Sequence, residues 1–186
     1  MGPEHPVVRA LDALLERCLD HGNSELWAEH DTDWPSVCER GEPDAEGRIR
    51  WEPVIHDDFD IFAGLESAIN EPVHEDLKGF YGRHWRHHLD VEAPQGRLSL
   101  TGVWNPRDAT RLNENLLGHL QQQRRFFGLR RRLPMTLFFA TTDADSEYVL
   151  CLDNHSGEVI VERPGTRDWR VVAPALTPFL DTLQPI

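Results

Sequence analysis

Apolar residues recur every three or four positions in several parts of this chain, which is the pattern of helices that bury one face. The first predicted helix ends near Gly22, and the second is interrupted by Pro72. The four shorter predicted helices cover residues 7–18, 62–69, 77–85 and 176–183.

A longer helix is predicted to begin at Pro106, a residue that is favoured at the first helical position. Asn105 is a suitable N-cap, and Asp108 places negative charge near the positive end of the helix dipole. Gly128 is suited to end the helix. The buried stripe is predicted to consist of Leu112, Leu116, Leu117 and Leu120.

Alternation of apolar and polar residues predicts strands elsewhere. Residues 48–52 alternate, with Ile49 and Trp51 on one face, and residues 96–104 alternate less strictly. Residues 154–157 (Asn-His-Ser-Gly) have the composition of a hairpin turn. The strands predicted after the long helix cover residues 135–140, 148–152, 159–161 and 169–172.

Residues 23–47 are rich in acids, Pro and Gly and have no lasting period, so they are predicted to be loop. Neighbouring strands joined by short turns, with helices before and after, are typical of an α+β fold. The chain length of 186 residues suits one domain. The sequence therefore predicts a single α+β domain with a mainly antiparallel sheet flanked by helices.

The charge is unevenly distributed along the chain. Residues 1–76 contain 20 Asp and Glu against 5 Arg, a net charge of −15, whereas residues 77–186 contain 12 acids and 14 bases, a net charge of +2. The two parts sum to −13. Segregated charge attracts a partner of opposite sign, so the expected partner is basic, and nucleic acid is not expected as a ligand.

Seven acids within twenty residues are the predicted partner-binding residues, because no base lies among them. They are expected on two short helices and their approaches. Acids near the start of a helix also stabilise its dipole, which is the structural alternative for Glu75 and Asp76. The seven are Asp57, Asp58, Asp60, Glu66, Glu71, Glu75 and Asp76.

The composition supports a folded protein outside the secretory route. An apolar content of 39% and six Trp are enough for a core. No apolar run approaches the ~20 residues that cross a bilayer, and the first residues lack the pattern of a signal peptide. Three widely spaced cysteines without a CxxC pair suit free thiols in the cytosol. We expect a cytoplasmic monomer.

Candidate catalytic and metal sites are weak. His84, His87 and His88 have ligand spacing if they lie on a helix, but no HExxH or Cys accompanies them, and surface or core-edge histidines explain them better. Asp57, Asp58 and Asp60 are candidate ligands for a hard cation, but they lack the ligand spacing and the Gly of a calcium loop. We find no nucleophile motif and no phosphate-binding loop. The expectation is a protein that is not an enzyme, with no metal and no cofactor.

Five arginines surround apolar residues at and after the end of the long helix. Such a segment could contact anionic lipid head groups. Alternatively, the bases complement the negative end of the helix dipole. The arginines of this possible lipid contact are Arg124, Arg125, Arg130, Arg131 and Arg132.

Several segments together resemble the Syd family of bacterial SecY-interacting proteins. Residues 111–120 (RLNENLLGHL) lie on the long helix, residues 133–141 (LPMTLFFAT) form the next strand, and residues 154–159 (NHSGEV) form the hairpin. Further matches place the resemblance over residues 51–185. The loop after the long helix and the acidic residues 31–46 depart from the family pattern. The remaining matches are residues 51–53, 65–68, 80–81, 165–167 and 179–185.

The resemblance implies a one-domain α+β protein of the SMI1/KNR4 fold with a concave acidic surface. Residues 51–186 would be the family core and residues 1–50 an acidic helix and loop. It implies peripheral docking on basic cytosolic loops of SecY, the translocase channel in the bacterial inner membrane, and monitoring or restraint of badly assembled translocase. An immunity protein of the same fold family, which neutralises a basic toxin domain, is the alternative.

The segment RLNENLLGHL contains polar residues that invite a catalytic interpretation. We predict instead that Asn115, Gly118 and His119 hold the fold, because no nucleophile accompanies them. Asn115 and His119 are four residues apart and share a helix face. A Gly inside a helix costs ~1 kcal/mol relative to Ala, so we expect another element to approach Gly118 closely.

Overall fold

The structure is a computed structural model that describes residues 4–21, 25–56, 60–127, 135–142 and 146–186, with the side chains of residues 125–127 excluded. The helices within these ranges are α1 (Pro6–Asp20), α2 (Ala63–Ile69), α3 (Glu75–Tyr81), α4 (Pro106–Phe127) and α5 (Leu176–Asp181). The strands of the first half are β1 (Leu26–Glu29), β2 (Glu39–Arg40), β3 (Arg48–Trp51), β4 (Val54–Ile55), β5 (His84–Trp85), β6 (Leu89–Ala93) and β7 (Gly96–Leu100). Those of the second half are β8 (Thr136–Thr142), β9 (Val149–Asp153), β10 (Val159–Glu162), β11 (Trp169–Ala173) and β12 (Gln184–Pro185).

The main sheet has seven strands in the order β11-β10-β9-β8-β7-β6-β12. Every neighbouring pair is antiparallel, and the four strands predicted after the long helix lie side by side at its centre and edge. The hairpin between β9 and β10 is formed as predicted, and Gly157 adopts a φ of +75°, which glycine tolerates best. The predicted α+β fold with a mainly antiparallel sheet is confirmed.

Helix α4 begins as its sequence predicts. Asn105 Oδ1 accepts a hydrogen bond from the backbone N–H of Asp108 at 2.9 Å, and Asp108 Oδ2 accepts one from the backbone N–H of Trp104 at 2.9 Å. These reciprocal bonds satisfy donors that a helix start leaves free. Of the predicted stripe, Leu112, Leu116 and Leu120 are buried and Leu117 is half-buried. Gly128, the predicted end, lies outside the described residues.

The core lies on both faces of the main sheet because the side chains of β8 point alternately to each side. Phe139 packs against Phe80 of α3 and Phe179 of α5, with ring centroids 5.6 and 5.8 Å apart. Phe138 instead faces His119 of α4, at 5.7 Å. The buried face of α1, from Val7 to Cys18, belongs to the same hydrophobic core. None of the helices within the described ranges combines the length and apolar character needed to cross a membrane.

The helix predicted over residues 77–85 ends earlier than predicted. It ends at Tyr81, and Gly82 caps it by donating its N–H to the Lys78 carbonyl at 2.8 Å. His84 and Trp85 then form β5, paired with β4. The helical interpretation of these two residues is wrong, because their apolar spacing reflects the burial of a short strand that happens to match helical spacing.

Some strands were missed. The predicted loop at residues 23–47 contains β1 and β2, which pair with β3 in a three-stranded sheet of order β1-β3-β2. These strands have four and two residues, too short for a clear period. Strand β6 does alternate, with Leu89, Val91 and Ala93 buried, so its signal was present in the sequence.

Candidate partner-binding surface

Residues 1–76, the acidic first part of the chain, contain five arginines. Each of them contacts a carboxylate or a backbone carbonyl. Arg17 donates to the Leu183 carbonyl at 3.2 Å. The other four form ion pairs with five carboxylates of the same part, and their four positive charges balance only a fifth of its 20 negative charges. These pairs are Arg9 with Glu4, Arg40 with Glu52, Arg48 with Asp44 and Glu46, and Arg50 with Glu25.

A surplus of negative charge therefore stays on the surface of the first part. Within the described ranges, seven of its acids are exposed and form no ion pair. Uncompensated carboxylates on one side of a molecule create a field that attracts basic partners. The seven are Glu16, Asp20, Glu29, Asp31, Asp33, Glu42 and Asp60.

Three of the predicted partner-binding acids are exposed and free to meet a partner. Asp60 Oδ1 accepts a hydrogen bond from the backbone N–H of Phe62 at 3.1 Å and stays exposed. Glu71 lies 3.5 Å from His155 in an exposed pair, and Glu75, which is itself exposed, lies 3.2 Å from the half-buried Lys78. Such pairs contribute little and exchange easily for other partners.

Two other predicted acids take part in the fold. Glu66 Oε1 accepts hydrogen bonds from the Val73 backbone N–H at 2.7 Å and from Lys78 Nζ at 2.8 Å, which ties α2 to α3. The hydrogen bond from Lys78 lowers the pKa of Glu66, and the same bond raises the pKa of Lys78. Asp76 Oδ1 lies 3.6 Å from His5 Nε2 on α1. Asp57 and Asp58 lie outside the described residues.

Exposed apolar side chains accompany the acids. Val37 is 63% exposed and Ile55 is 53% exposed, and Ile55 directly precedes the predicted acidic stretch. Interfaces generally combine an apolar centre with a polar rim. The first part thus offers both kinds of contact to a partner.

A cleft of about 360 Å³ has a mixed lining of acids and bases that the sequence did not indicate. Glu29 and Asp31 line it together with Arg111, His87 and His88. Burial lowers the pKa of both histidines, and His88 Nδ1 accepts a hydrogen bond from the Gly102 N–H at 3.1 Å, so both rings are neutral near pH 7. Because residues 23–47 were predicted to be loop, the sequence did not indicate where Glu29 and Asp31 would lie.

The histidines at positions 84, 87 and 88 do not share a helix face. His84 is buried in β5, with Nε2 3.2 Å from Asp12 Oδ1, while His87 and His88 line the cleft. Residues 84–88 are not helical, so the spacing does not place these histidines on one face.

The residues at 115, 118 and 119 have different environments. His119 is buried, with Nε2 2.9 Å from Glu162 Oε1 of β10, which suits a residue that holds the fold. Asn115 is exposed. Gly118 is also exposed, and a Cβ added there would meet nothing within 4 Å. The expected close approach to Gly118 is wrong, because its side of α4 faces solvent.

Gly102, unlike Gly118, is closely approached by backbone atoms of another segment. A Cβ on Gly102 would lie 2.2 Å from the His87 carbonyl oxygen and 2.4 Å from that of Arg86, so the backbone must shift. We expect Gly102→Ala to destabilise the fold by several kcal/mol. Gly118→Ala, the matched control, should stabilise it by up to ~1 kcal/mol. Urea unfolding measures both, and equal effects would contradict this account.

Of the five arginines of the possible lipid contact, Arg124 is exposed near the end of α4. The Arg125 side chain and Arg130, Arg131 and Arg132 lie outside the described residues. All three cysteines are free and buried.

The fold and its surface define an α+β protein with a seven-stranded antiparallel sheet and an acidic first part. A profile of the family described as Syd protein (SUKH-2) matches residues 8–185. Protein Syd of Pseudoalteromonas atlantica is 35% identical over 84% of this chain and 82% of its own length. Protein Syd of Pectobacterium carotovorum is 34% identical over 98% of each chain, and that of Hahella chejuensis is 36% identical over 81% of this chain and 74% of its own. The chain belongs to the Syd family, as the resemblance predicted.

Proposed function

We propose that this protein docks through its acidic surface on basic cytosolic loops of SecY, the channel of the protein translocase, and monitors or restrains badly assembled translocase. Family membership supports the proposal. The observation that carries it is the surplus of exposed, unpaired acid in the first part of the chain. In this account the protein acts by binding and performs no reaction.

Charge complementarity supports a cytosolic membrane-protein loop as the partner. Cytoplasmic loops of membrane proteins are enriched in Lys and Arg, so a surface with excess carboxylate attracts them. Complementary charge mainly speeds encounter and selects the partner, while apolar contacts slow dissociation. Exposed side chains such as Ile55 supply apolar contact beside the acids. The protein would accordingly associate peripherally with the cytoplasmic face of the inner membrane.

The ion pairs refine which acids contact the partner. Asp60, Glu71 and Glu75 are exposed, so they are proposed as direct contacts together with Asp57 and Asp58. The remaining two predicted acids, which hold α2 and α3 in place, would contribute through the field of the surface. The possible lipid contact at the end of α4 remains a prediction and would orient the protein on the membrane.

Salt dependence tests the electrostatic part of the proposal. Binding of the purified protein to SecY-containing membranes should weaken steeply as salt rises, because the Debye length is already ~8 Å at 0.15 M. Sedimentation with inverted membrane vesicles between ~0.05 and ~0.5 M salt measures this. Vesicles without SecY provide the control. Binding that is unchanged over this range would count against an electrostatic interface.

A further inference from the structure

A group of buried polar side chains lies between α4 and the main sheet, away from the acidic surface. His119 comes from α4, Cys151 from β9 and Glu162 from β10, and all three are buried. One donor atom from each residue lies within 4.8 Å of the other two. His119 Nε2 is 2.9 Å from Glu162 Oε1 and 3.9 Å from Cys151 Sγ. Three different elements thus bring an imidazole, a thiol and a carboxylate to one point.

We propose that His119, Cys151 and Glu162 bind a Zn²⁺ ion. Imidazole nitrogen, thiolate sulfur and carboxylate oxygen are the three donor types that zinc prefers in proteins. A thiolate and a carboxylate balance the two positive charges of the ion, so the buried site is neutral overall when the imidazole is neutral. The thiol proton leaves to solvent as the ion binds.

The distances suit such an ion with small adjustments. Tetrahedral Zn²⁺, with a bond of about 2.3 Å to sulfur and about 2.0 Å to nitrogen, holds those two atoms about 3.5 Å apart. The Cys151 Sγ to His119 Nε2 distance of 3.9 Å is close to this value. The 2.9 Å between His119 Nε2 and Glu162 Oε1 is a hydrogen bond, which the ion would replace by moving the two atoms slightly apart.

Two neighbouring side chains orient the carboxylate. Thr136 Oγ1 donates to Glu162 Oε2 at 2.9 Å, and Gln123 Nε2 donates to Glu162 Oε1 at 3.0 Å. Hydrogen bonds to ligating groups strengthen metal binding in this way. Although burial opposes it, the hydrogen bonds from His119, Thr136 and Gln123 lower the pKa of Glu162. Thr136 Oγ1 also lies 3.4 Å from His119 Nε2.

The sequence could not indicate this site. His119 and Cys151 are 32 residues apart, and the sheet brings them together. The histidines with ligand spacing in the sequence, His84, His87 and His88, are not part of this group, and the three cysteines show no ligand spacing.

Cobalt substitution tests the proposal directly. The full-length protein is freed of metal with EDTA and titrated with Co²⁺, whose bond to thiolate gives a charge-transfer band in the near ultraviolet. We expect this band to saturate at one ion per chain. Cys151→Ser should abolish it, while Cys38→Ser, which changes another buried free thiol, should retain it.

Zinc itself is then measured by competition and by thermal unfolding. Zn²⁺ should displace Co²⁺ and raise the melting temperature of the parent but not of Cys151→Ser. Loss of a group that only orients a ligand costs 10–100-fold in affinity, so loss of Cys151 should cost more than about 100-fold. Glu162→Gln provides a second ligand variant if Cys151→Ser fails to fold. Absence of the band, or a band and zinc affinity unchanged in the variant, would overturn the proposal.

Discussion

Reversing three exposed acids, in the variant Asp60→Lys, Glu71→Lys and Glu75→Lys, is expected to abolish binding to SecY-containing membranes. Each change removes an attraction to a basic loop and adds a repulsion. Single exposed pairs contribute little, but six units of charge acting together should weaken binding by about 100-fold or more. Vesicle sedimentation at low salt measures the loss.

The fold should survive these changes, because the three side chains are exposed and only Asp60 bonds the backbone. The matched control reverses three other exposed acids, Asp90→Lys, Glu92→Lys and Asp181→Lys, on β6 and at the end of α5. It shifts the net charge by the same amount and should bind far better than the first variant. If both variants bind alike, the net charge matters and the proposed placement is wrong.

His119→Ala is expected to lower stability in step with any loss of binding. The His119 side chain is 7% exposed and its partner Glu162 is 11% exposed, so the change leaves a buried carboxylate without its main partner. Removing a hydrogen bond from a buried carboxylate costs about 3 kcal/mol, which lowers the melting temperature by about 6–12 °C for a chain of this size. Measurements in the presence of EDTA keep bound metal out of the comparison.

Asn115→Ala is the matched control, four residues earlier on the same helix and exposed. It should change stability by less than about 0.5 kcal/mol. A His119→Ala protein that is as stable as the parent but has lost binding would instead make this histidine a functional residue.

The long, strongly patterned elements were predictable from the sequence. Helix α4 has both a cap and a leucine stripe, and its reciprocal capping bonds form as the residues predict. The strands after it have clear apolar runs. Elements of two to four residues, such as β1 and β5, contain too few positions to establish a period, so the surrounding sheet decides them.

The partner-binding acids could be predicted only in part, for a different reason. The sequence indicates where acids concentrate, but it does not show which of them pair within the fold. Lys78 follows the predicted stretch by two residues, yet it pairs with Glu75 one helical turn earlier on α3 and with Glu66 on α2. Glu29 and Asp31 lie far from the stretch along the chain, and both are exposed at the cleft that His87 and His88 also line.

Recovery of SecY from solubilised membranes tests the central proposal most directly. The tagged protein is immobilised, incubated with detergent-solubilised inner membranes at low salt, and compared with the triple-lysine variant at positions 60, 71 and 75. We predict that the parent retains SecY and that the variant does not. Equal recovery of SecY by both proteins would refute the acidic interface. Absence of SecY from the parent, above all with retention of a basic soluble toxin domain instead, would contradict the proposed function.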